Sequence, residues 1–453
     1  MHLSESLTSA YRVLEESIVT YRGEAVGTVA SHDHRAPAEN YADCFVRDFV
    51  PIALVYLLDN KPDIVKNFLK LTLNIRDSQE ELEGHQFIPR VMPASFKVIR
   101  HDDGREELRA DFGDNAIGRV APVDSMMWWV LLLWTYEKVT RDSSLRESDQ
   151  VQRGIRAILG ICLRDRFEVF PTLLVPDGSF MIDRRMGVYG HPLEIQALFY
   201  ACLNTGLAML SPSEENTALI AQCRKRRQLL VDYVRYYYWL DVERLNEIHR
   251  YETELFGVEN ANALNIYPDS IPEWTPDWLP EDAGYMVGNL GPGRMDFRFF
   301  AFGNLLSSIF GLSTMEQSRQ LMHLYEKRWY DLVGMMPVKI CYPAVERRDW
   351  QLLTGSDPKN VPWSYHNGGN WPCLLWAFVG AAVKTGREDL AHKAMKVAAH
   401  RLGKDHWPEY YDGKNGRLIG RRANFNQTWS AAALILGQKF LDDGNLKRLG
   451  FFF

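Results

Sequence analysis

Two acidic residues stand in long polar loops with unusual neighbours. Asp183 lies in the segment VPDGSFMIDRRMGVYG, and Glu409 lies in HWPEYYDGKNGRLIGRRANFNQTW. Two carboxylic acids that face each other across a cleft can cleave a glycosidic bond with inversion, because one protonates the leaving oxygen while the other activates a water on the far side. That water requires about 6.5–9.5 Å between the carboxyl groups. Asp177 and Asp412, each followed by glycine, are more simply turn residues.

For this chemistry Asp183 has to hold a proton at the working pH. Its surroundings should therefore raise its pKa, either by burial or through a nearby carboxylate. Arg184 and Arg185 follow it directly in the chain, and they would lower the pKa if their guanidinium groups lay against the carboxyl. We therefore expect both arginines to point away from Asp183.

Further polar residues lie where apolar helices are expected to begin. Arg47 and Asp48 are embedded in CFVRDF, and on a helix Tyr41, Phe45 and Asp48 would share one face. The Arg–Asp pair fits either a fork that binds sugar hydroxyls or a structural ion pair. Asp124, in APVDSMMWW, fits either a substrate contact or a helix N-cap.

Two more segments hold candidate binding residues. His191, Glu194 and Gln196 lie in YGHPLEIQALFY, where polar side chains followed by so apolar a stretch need partners. His366 and Asn367 lie in WSYHNGGNWP, a short loop with two tryptophans and two glycines. Such a loop fits a binding wall, and the alternative is a rigid structural turn.

The elements that must position these residues are helices. An apolar period of 3.6 residues recurs along most of the chain, and almost no segment alternates as a strand does. Counted in order, the even-numbered stretches are apolar nearly all round and the odd-numbered ones carry charged faces, which predicts buried and outer helices respectively. The twelve stretches fall near residues 4–21, 41–59, 61–81, 123–141, 148–165, 191–210, 213–247, 296–311, 314–331, 368–385, 387–402 and 425–441.

Short and long connections alternate along the chain, so the helices come in pairs. Six inner and six outer helices that close into a ring form an (α/α)6 barrel, and we predict this all-α fold as a single catalytic domain over residues 1–453. An open α-solenoid is the alternative, but we find no sequence repeat of the length such pairs would have. In a closed ring, the loops with Asp183 and Glu409 enter the third and sixth inner helices, which are diametrically opposite.

Composition narrows the range of partners. The 453 residues include 52 Lys and Arg against 58 Asp and Glu, and a net charge of −6 argues against nucleic acid or a membrane surface. No apolar run approaches the length of a membrane span.

The six cysteines are scattered singly, which predicts reduced thiols in the cytoplasm. The glycines of GNLGPGR do not fit a dinucleotide site, and His32-Asp33-His34 lacks further metal ligands, so we expect no cofactor and no metal.

The longest polar and aromatic strings together resemble the alkaline/neutral invertases, glycoside hydrolase family 100; the strings are CFVRDFVP, APVDSMMWW, MIDRRMGVYGHPLEIQALFY, VPWSYHNGGNWPCLLW and WPEYYDGKNGRLIGRRANFNQTWS. The resemblance implies an (α/α)6 barrel that hydrolyses sucrose to glucose and fructose in the cytosol, without a metal, as a homo-oligomer. It also implies that Asp183 is the general acid and Glu409 the general base. The sugar-binding positions that it implies are Arg47, Asp48, Asp124, His191, Glu194, Gln196, His366, Asn367 and Arg422.

Two other functions fit the residues. One is a different α/α-barrel sugar enzyme, either an inverting glucosidase on another disaccharide or an epimerase that uses His191 and His366. The other is a helical-pair scaffold that binds a protein partner on a concave face, although scaffolds do not usually concentrate tryptophan, histidine and acids at one rim.

Overall fold

Twelve long helices in two layers form the framework of the computed structural model, which describes residues 3–33, 39–77, 91–115, 119–164, 170–250, 262–442 and 445–451. The inner layer consists of α2 (Val46–Leu58), α4 (Val123–Thr140), α7 (Leu193–Met209), α11 (Ala301–Phe310), α15 (Leu375–Lys384) and α17 (Thr428–Leu441). The outer layer consists of α1 (Leu3–Glu16), α3 (Asp63–Asp77), α6 (Asp149–Cys162), α8 (Glu214–Tyr233), α12 (Met315–Lys327) and α16 (Glu388–Arg401).

The inner helices form a closed ring. Each packs against the next in chain order, and the ring closes because α17, the last, packs against α2, the first. The outer helix α1 packs against α16 and α17, so the outer layer also joins its two ends. The predicted (α/α)6 barrel is therefore confirmed, and the open solenoid is excluded.

Burial separates the two layers as the sequence predicts. In α7, fifteen of the seventeen residues are buried, because its side chains are apolar on every face. In α8, three of the twenty residues are buried. The inner helices thus supply the core, and the acidic residues Asp48, Asp124 and Glu194 lie in their first turns.

Shorter elements connect the twelve long helices. The described residues also form the helices α5 (Ser144–Glu147), α9 (Val242–Arg250), α10 (Trp274–Trp278), α13 (Trp329–Leu332), α14 (Arg347–Thr354) and α18 (Asn445–Arg448). The strands are β1 (Ile18–Tyr21), β2 (Glu24–Thr28), β3 (Cys44–Phe45), β4 (Ser95–Arg100), β5 (Glu106–Asp111), β6 (Trp239–Leu240), β7 (Tyr285–Met286), β8 (Asn289–Gly291), β9 (Arg294–Asp296), β10 (Phe299–Phe300) and β11 (Cys341–Tyr342). They pair antiparallel as β1-β2, β3-β4-β5, β6-β7, β8-β9 and β10-β11.

Several inner helices begin later than the apolar pattern predicts. The predicted starts at 41 and 296 are wrong, because the residues before Val46 and Ala301 form β3 and β10, which pair with β4 and β11. Tyr41 consequently lies in a 3-10 turn and does not share a helix face with Asp48. Strands of two residues leave no alternating pattern in the sequence, and they anchor the long loops at the rim.

The outer helices differ from the prediction mainly at their C-terminal ends. The first ends at Glu16, because residues 18–21 form β1, and the helix predicted over 213–247 ends at Tyr233. Residues 78–81 and 165, where two other predicted helices end, lie outside the described residues. No helix in the described ranges has the length and apolar character needed to cross a bilayer.

One close approach between inner helices fixes the position of the first turn of α7. A Cβ atom at Gly303, in α11, would lie 2.9 Å from the backbone nitrogen of Glu194. Real Cβ atoms do not come so close to backbone, so a side chain here would push the two helices apart. Glycine at this position therefore lets α11 support the part of α7 that carries Glu194.

We predict that Gly303→Ala destabilises the fold, with a free-energy cost of about 1–3 kcal/mol for overpacking. Gly380→Ala is the matched control, because it is also helical and a Cβ there would meet its nearest neighbour at 3.4 Å. The control should be neutral or stabilising, since alanine is the better helix former. Equal melting temperatures for the two variants would contradict this account.

Candidate active site

A cavity of about 290 Å³ opens at the end of the barrel where the inner helices begin. The loops before α2, α4, α7 and α15 all contribute to its wall, which is the rim predicted from the alternating connections. Charged and aromatic groups dominate this wall; among them are Tyr41, Arg47, Asp183, Arg184, Lys359 and Tyr365.

Asp183 lies on the cavity wall between a buried histidine and the open space. Its Oδ1 is buried, 3.4 Å from Nδ1 of His366, while the rest of the side chain is partly exposed to the cavity. Burial raises the pKa of Asp183, and the charge of Glu409 raises it further, against the lowering effect of Arg47, Arg184 and Lys359. The predicted upward direction is confirmed.

The loop around Asp183 is held by the neighbouring turn. Asp177 accepts hydrogen bonds at Oδ2 from the backbone nitrogens of Met186 (3.1 Å) and Gly187 (2.9 Å), so the turn residue ties both ends of the loop. Gly178 has a φ of +88°, and a Cβ there would lie 3.2 Å from the carbonyl oxygen of Asp183. The backbone at Asp183 is therefore fixed by close packing and hydrogen bonds.

Glu409 is buried, with 2 % of its surface exposed, and is held by three groups. The hydroxyl of Tyr41 donates to Oε1 at 2.6 Å, Nζ of Lys359 lies 3.7 Å from Oε2, and the backbone nitrogen of Asn424 lies 3.5 Å from Oε2. Burial and the charge of Glu409 raise the pKa of Tyr41 well above its usual value, so the phenol keeps its proton and remains a donor.

A buried lysine fixes the loop that carries Glu409. Nζ of Lys339 donates to Oδ1 of Asn370 at 3.1 Å and to the carbonyl of Gly413. Asn370 in turn pairs with Tyr411 through two backbone hydrogen bonds of 3.0 and 2.8 Å. These contacts join the loop before α15 to the loop before α17, two residues away from Glu409.

Arg47 and Asp124 form an ion pair beneath the cavity. Nε and NH2 of Arg47 donate to the two oxygens of Asp124, the second at 3.1 Å, and Asp124 is fully buried. Asp124 lies within the first turn of α4, after the N-cap Pro122, so it does not cap the helix. The partner of Arg47 is thus Asp124, although its own neighbour Asp48 also lies within electrostatic reach.

Asp48 and Glu194 extend this acidic cluster. Burial raises the pKa of Asp48 to about 7; Arg47 opposes the shift, and Asp183, Glu409 and Asp124 add to it. Burial and the charge of Asp124 raise the pKa of Glu194 to about 8, and its Oε1 accepts a 3.1 Å hydrogen bond from the backbone nitrogen of Met181. The structure therefore brings Arg47, Asp48, Asp124 and Glu194 together with Asp183 and Glu409.

The remaining predicted residues lie around this centre. The amide of Gln196 bonds the backbone nitrogen and oxygen of Leu173 at 2.8 and 3.0 Å, and that of Asn367 bonds the nitrogen and oxygen of Val345 at 2.7 and 2.9 Å. Nδ1 of His191 lies 2.8 Å from the hydroxyl of Thr172. Arg422, by contrast, is exposed on the loop that carries Glu409, with a φ of 59°.

His366 is buried between aromatic rings. Its ring centre lies 4.2 Å from that of Tyr365 and 5.0 Å from that of Trp371. Burial lowers the pKa of His366 well below its usual value, and the positive charges of Arg184, Lys359 and Arg47 lower it further. His366 is therefore a neutral group beside Asp183. In the loop WSYHNGGNWP, His366 and Asn367 are buried, whereas Tyr365 lines the cavity.

Sequence reasoning missed Lys359 and Asp357 and did not place Tyr41 at the site. All three lie in irregular segments, where no periodicity indicates which way a side chain points. Arg184 was expected to point away from Asp183, and its NH1 indeed bonds both carboxylate oxygens of Asp357, at 2.8 and 2.7 Å. A lysine in SDPKN resembles any solvated loop lysine, so the sequence carries no signal for it.

The described part of the chain includes no group of three or more His, Cys, Asp or Glu side chains placed to hold a metal ion. His34, which belongs to the sequence His32-Asp33-His34, lies outside the described residues.

Comparison with known sequences gives matches over nearly the whole chain. The family model for alkaline and neutral invertases matches residues 10–444. A probable alkaline/neutral invertase D of Arabidopsis thaliana is 50 % identical over 96 % of this chain and 82 % of its own length. In Oryza sativa subsp. japonica, cytosolic invertase 1 is 48 % identical over 96 % of this chain and 78 % of its own length. A mitochondrial neutral/alkaline invertase 1 of the same species is 49 % identical over 96 % of this chain and 70 % of its own length.

Comparison with solved structures identifies the same architecture at low sequence identity. A GH63 mannosylglycerate hydrolase from Thermus thermophilus, in complex with glucose, has a TM-score of 0.53 at 14 % identity, over 95 % of this chain and 99 % of that one. A bacterial glucoamylase complexed with acarbose has a TM-score of 0.53 at 11 % identity, over 98 % of this chain and 55 % of that one. At sequence identities this low, the structural similarity supports the fold and not the function.

We predict that Tyr41→Phe lowers kcat about tenfold, because it removes the hydrogen bond that orients Glu409. Tyr56→Phe is the matched control, since its buried hydroxyl has no hydrogen-bond partner among the described residues. Melting temperatures should stay close to that of the parent protein in both variants. Equal kcat values for the two would mean that the Tyr41 hydroxyl does not serve the reaction.

Proposed function

This chain belongs to the alkaline and neutral invertase family and is a glycoside hydrolase that acts on sucrose, and we propose that it works with inversion at the glucose anomeric carbon. In this proposal Asp183 is the general acid and Glu409 the general base. The observation that supports this assignment is the difference between the environments of the two carboxyl groups. Asp183 has a raised pKa and a side chain partly open to the cavity, whereas Glu409 accepts a hydrogen bond from Tyr41 and lies beside Lys359.

The proposed reaction is a single displacement. Asp183 gives its proton to the oxygen that bridges the two sugars, and the bond between that oxygen and the glucose anomeric carbon breaks. Glu409 takes a proton from a water whose oxygen bonds to the same carbon from the opposite face. Fructose leaves with the proton from Asp183, and glucose is released as the β-anomer. Asp183 is then ionised and Glu409 protonated, and exchange with solvent restores both.

Sugar recognition is proposed to depend on the acidic cluster at the cavity. Carboxylates accept hydrogen bonds from sugar hydroxyls, and a negative charge close to the anomeric carbon stabilises the cationic transition state. Asp48 suits this function, because among the described residues no group donates a hydrogen bond to its carboxyl. Arg47, Asp124 and Glu194 hold the cluster together, and His366 lies behind Asp183.

The other proposed substrate-site residues differ in how they could act. Gln196 and Asn367 bond loop backbone through their amides, so they would shape the wall, and His191 is linked to Thr172. Arg422 has an exposed side chain near Glu409 in sequence, from which it could reach a bound sugar. An epimerase built on His191 and His366 has less support, because the family that matches the chain consists of invertases.

We also propose that the chain acts in the cytoplasm as a homo-oligomer. Six buried cysteines without disulfide partners suit a reducing compartment, and one rice relative is named a cytosolic invertase. The proposed self-association rests on membership of the family.

The assignment of Asp183 predicts a dependence on the leaving group. Asp183→Asn should lower kcat for sucrose by about 10²–10⁴-fold, because the fructose oxygen can no longer be protonated. Hydrolysis of α-glucosyl fluoride should persist in the same variant, since fluoride leaves without a proton donor. Initial rates on the two substrates measure the effect. A comparable loss on both would contradict the assignment.

The assignment of Glu409 predicts a loss of activity that does not depend on the leaving group. Glu409→Gln should lose activity on both substrates, because both reactions need an activated water, and added azide should restore turnover with β-glucosyl azide as product. Asp412→Asn is the matched control; it removes a carboxylate from the same loop and keeps the acceptor for the backbone nitrogen of Lys414. Formation of α-glucosyl azide, or full activity without azide, would rule out Glu409 as the base.

A further inference from the structure

Arg184 stands next to the proposed acid in the chain and also lines the cavity. A guanidinium group that lay against Asp183 would stabilise the carboxylate and remove the proton that the reaction needs. The side chain instead turns to a different loop, where NH1 donates to both oxygens of Asp357 at 2.8 and 2.7 Å. The two side chains are 19 % and 12 % exposed, so the ion pair is largely shielded from solvent.

Asp357 is itself held in place by its own segment. Its Oδ1 accepts a 3.0 Å hydrogen bond from the backbone nitrogen of Lys359, and its carbonyl accepts one of 3.1 Å from Asn360. The Oδ1 of Asn360 accepts a 3.1 Å hydrogen bond from the backbone nitrogen of His366, which joins this segment to the rigid loop behind Asp183. The carboxylate thus has a fixed position relative to the acid.

Titratable groups from five parts of the chain surround Asp183. They are Arg47 and Asp48 on α2, Tyr41 before α2, Arg184 on its own loop, Lys359, Tyr365 and His366 before α15, and Glu409 before α17. Each of the three cations has a carboxylate partner other than Asp183: Arg47 pairs with Asp124, Lys359 with Glu409, and Arg184 with Asp357. Of these partners, Asp357 is the one that neither lines the cavity nor belongs to the acidic cluster.

We propose that Asp357 is a positioning residue for hydrolysis, which holds and neutralises Arg184 so that Asp183 keeps the proton it donates. This inference rests on the proposed assignment of Asp183 as the general acid. Without the charge of Asp357, the guanidinium would act on Asp183 with its full positive charge. The carboxylate form of Asp183 would then be favoured, and the proton would be lost at lower pH.

The test is the pH profile of kcat/KM for Asp357→Asn. Asparagine keeps Oδ1 as an acceptor for the backbone nitrogen of Lys359 and for Arg184, while it removes the charge and replaces the second acceptor for Arg184 by an amide donor. With sucrose, the alkaline limb of the profile should move to lower pH by about one unit. With α-glucosyl fluoride, which needs no acid, the alkaline limb should stay in place. Asp349→Asn, which removes an exposed charge from α14, should leave both profiles unchanged.

Changes at Arg184 give an independent measurement of opposite sign. Arg184→Gln alone removes the cation and leaves Asp357 ionised, so the alkaline limb with sucrose should move to higher pH. In the double variant with Asp357→Asn the pair is again neutral, and the limb should return to its position in the parent protein. This pattern would support the proposal even if Asp357→Asn alone folded poorly.

Two results would overturn the proposal. One is a loss of activity in Asp357→Asn that is uniform across pH and is not corrected by Arg184→Gln, which would indicate a purely structural ion pair. The other is an equal shift of the alkaline limb on both substrates, which would place the effect on a step other than proton donation. Failure of the proposed function appears separately, as loss of α-glucosyl fluoride hydrolysis in Asp183→Asn.

Discussion

As the proposed general acid, Asp183 would have to keep a proton although three cationic side chains lie within electrostatic reach, and the pairing of charges in the site suits this constraint. Arg47, Arg184 and Lys359 each lower the pKa of Asp183, yet burial and the charge of Glu409 leave it raised. The cations are tolerated because each one is paired with another carboxylate. The cations of the site therefore have to lie at specific positions. A general excess of negative charge would not keep the pKa of Asp183 raised.

The barrel provides the rigidity that such a charge arrangement requires. Because the inner helices form a closed ring, their N-terminal ends lie together at one end of the barrel, where the loops before them meet. The loops are then joined to each other by buried polar groups. Lys339 links the loop before α15 to the loop of Glu409, and Asp177 closes the loop of Asp183. These contacts support the loops of Asp183 and Glu409, as the proposed acid–base catalysis on one bond would require.

The number and order of the long helices could be predicted from the sequence, because they follow from patterns, and the pair of acids is proposed from the same patterns. Apolar periodicity defines a helix without knowledge of its neighbours, and the alternation of long and short connections places the loops of Asp183 and Glu409 on opposite sides of a ring. Tyr41, Lys359 and Asp357 could not be found in this way. They lie in irregular segments, and their significance depends on contacts with residues more than a hundred positions away, such as the pair of Arg184 and Asp357. The two-residue strands at the rim were missed for the same reason, since their pairing is entirely long-range.

Asp183 and Glu409 are proposed to act as acid and base on opposite faces of the glucose ring. The most direct measurement is a proton NMR time course of the purified protein with sucrose, recorded before mutarotation equilibrates the anomers of the released glucose. This account predicts that β-glucose appears first and α-glucose follows only as mutarotation proceeds. Initial release of α-glucose would contradict it, because the configuration would then have been retained or the bond cleaved on the fructose side.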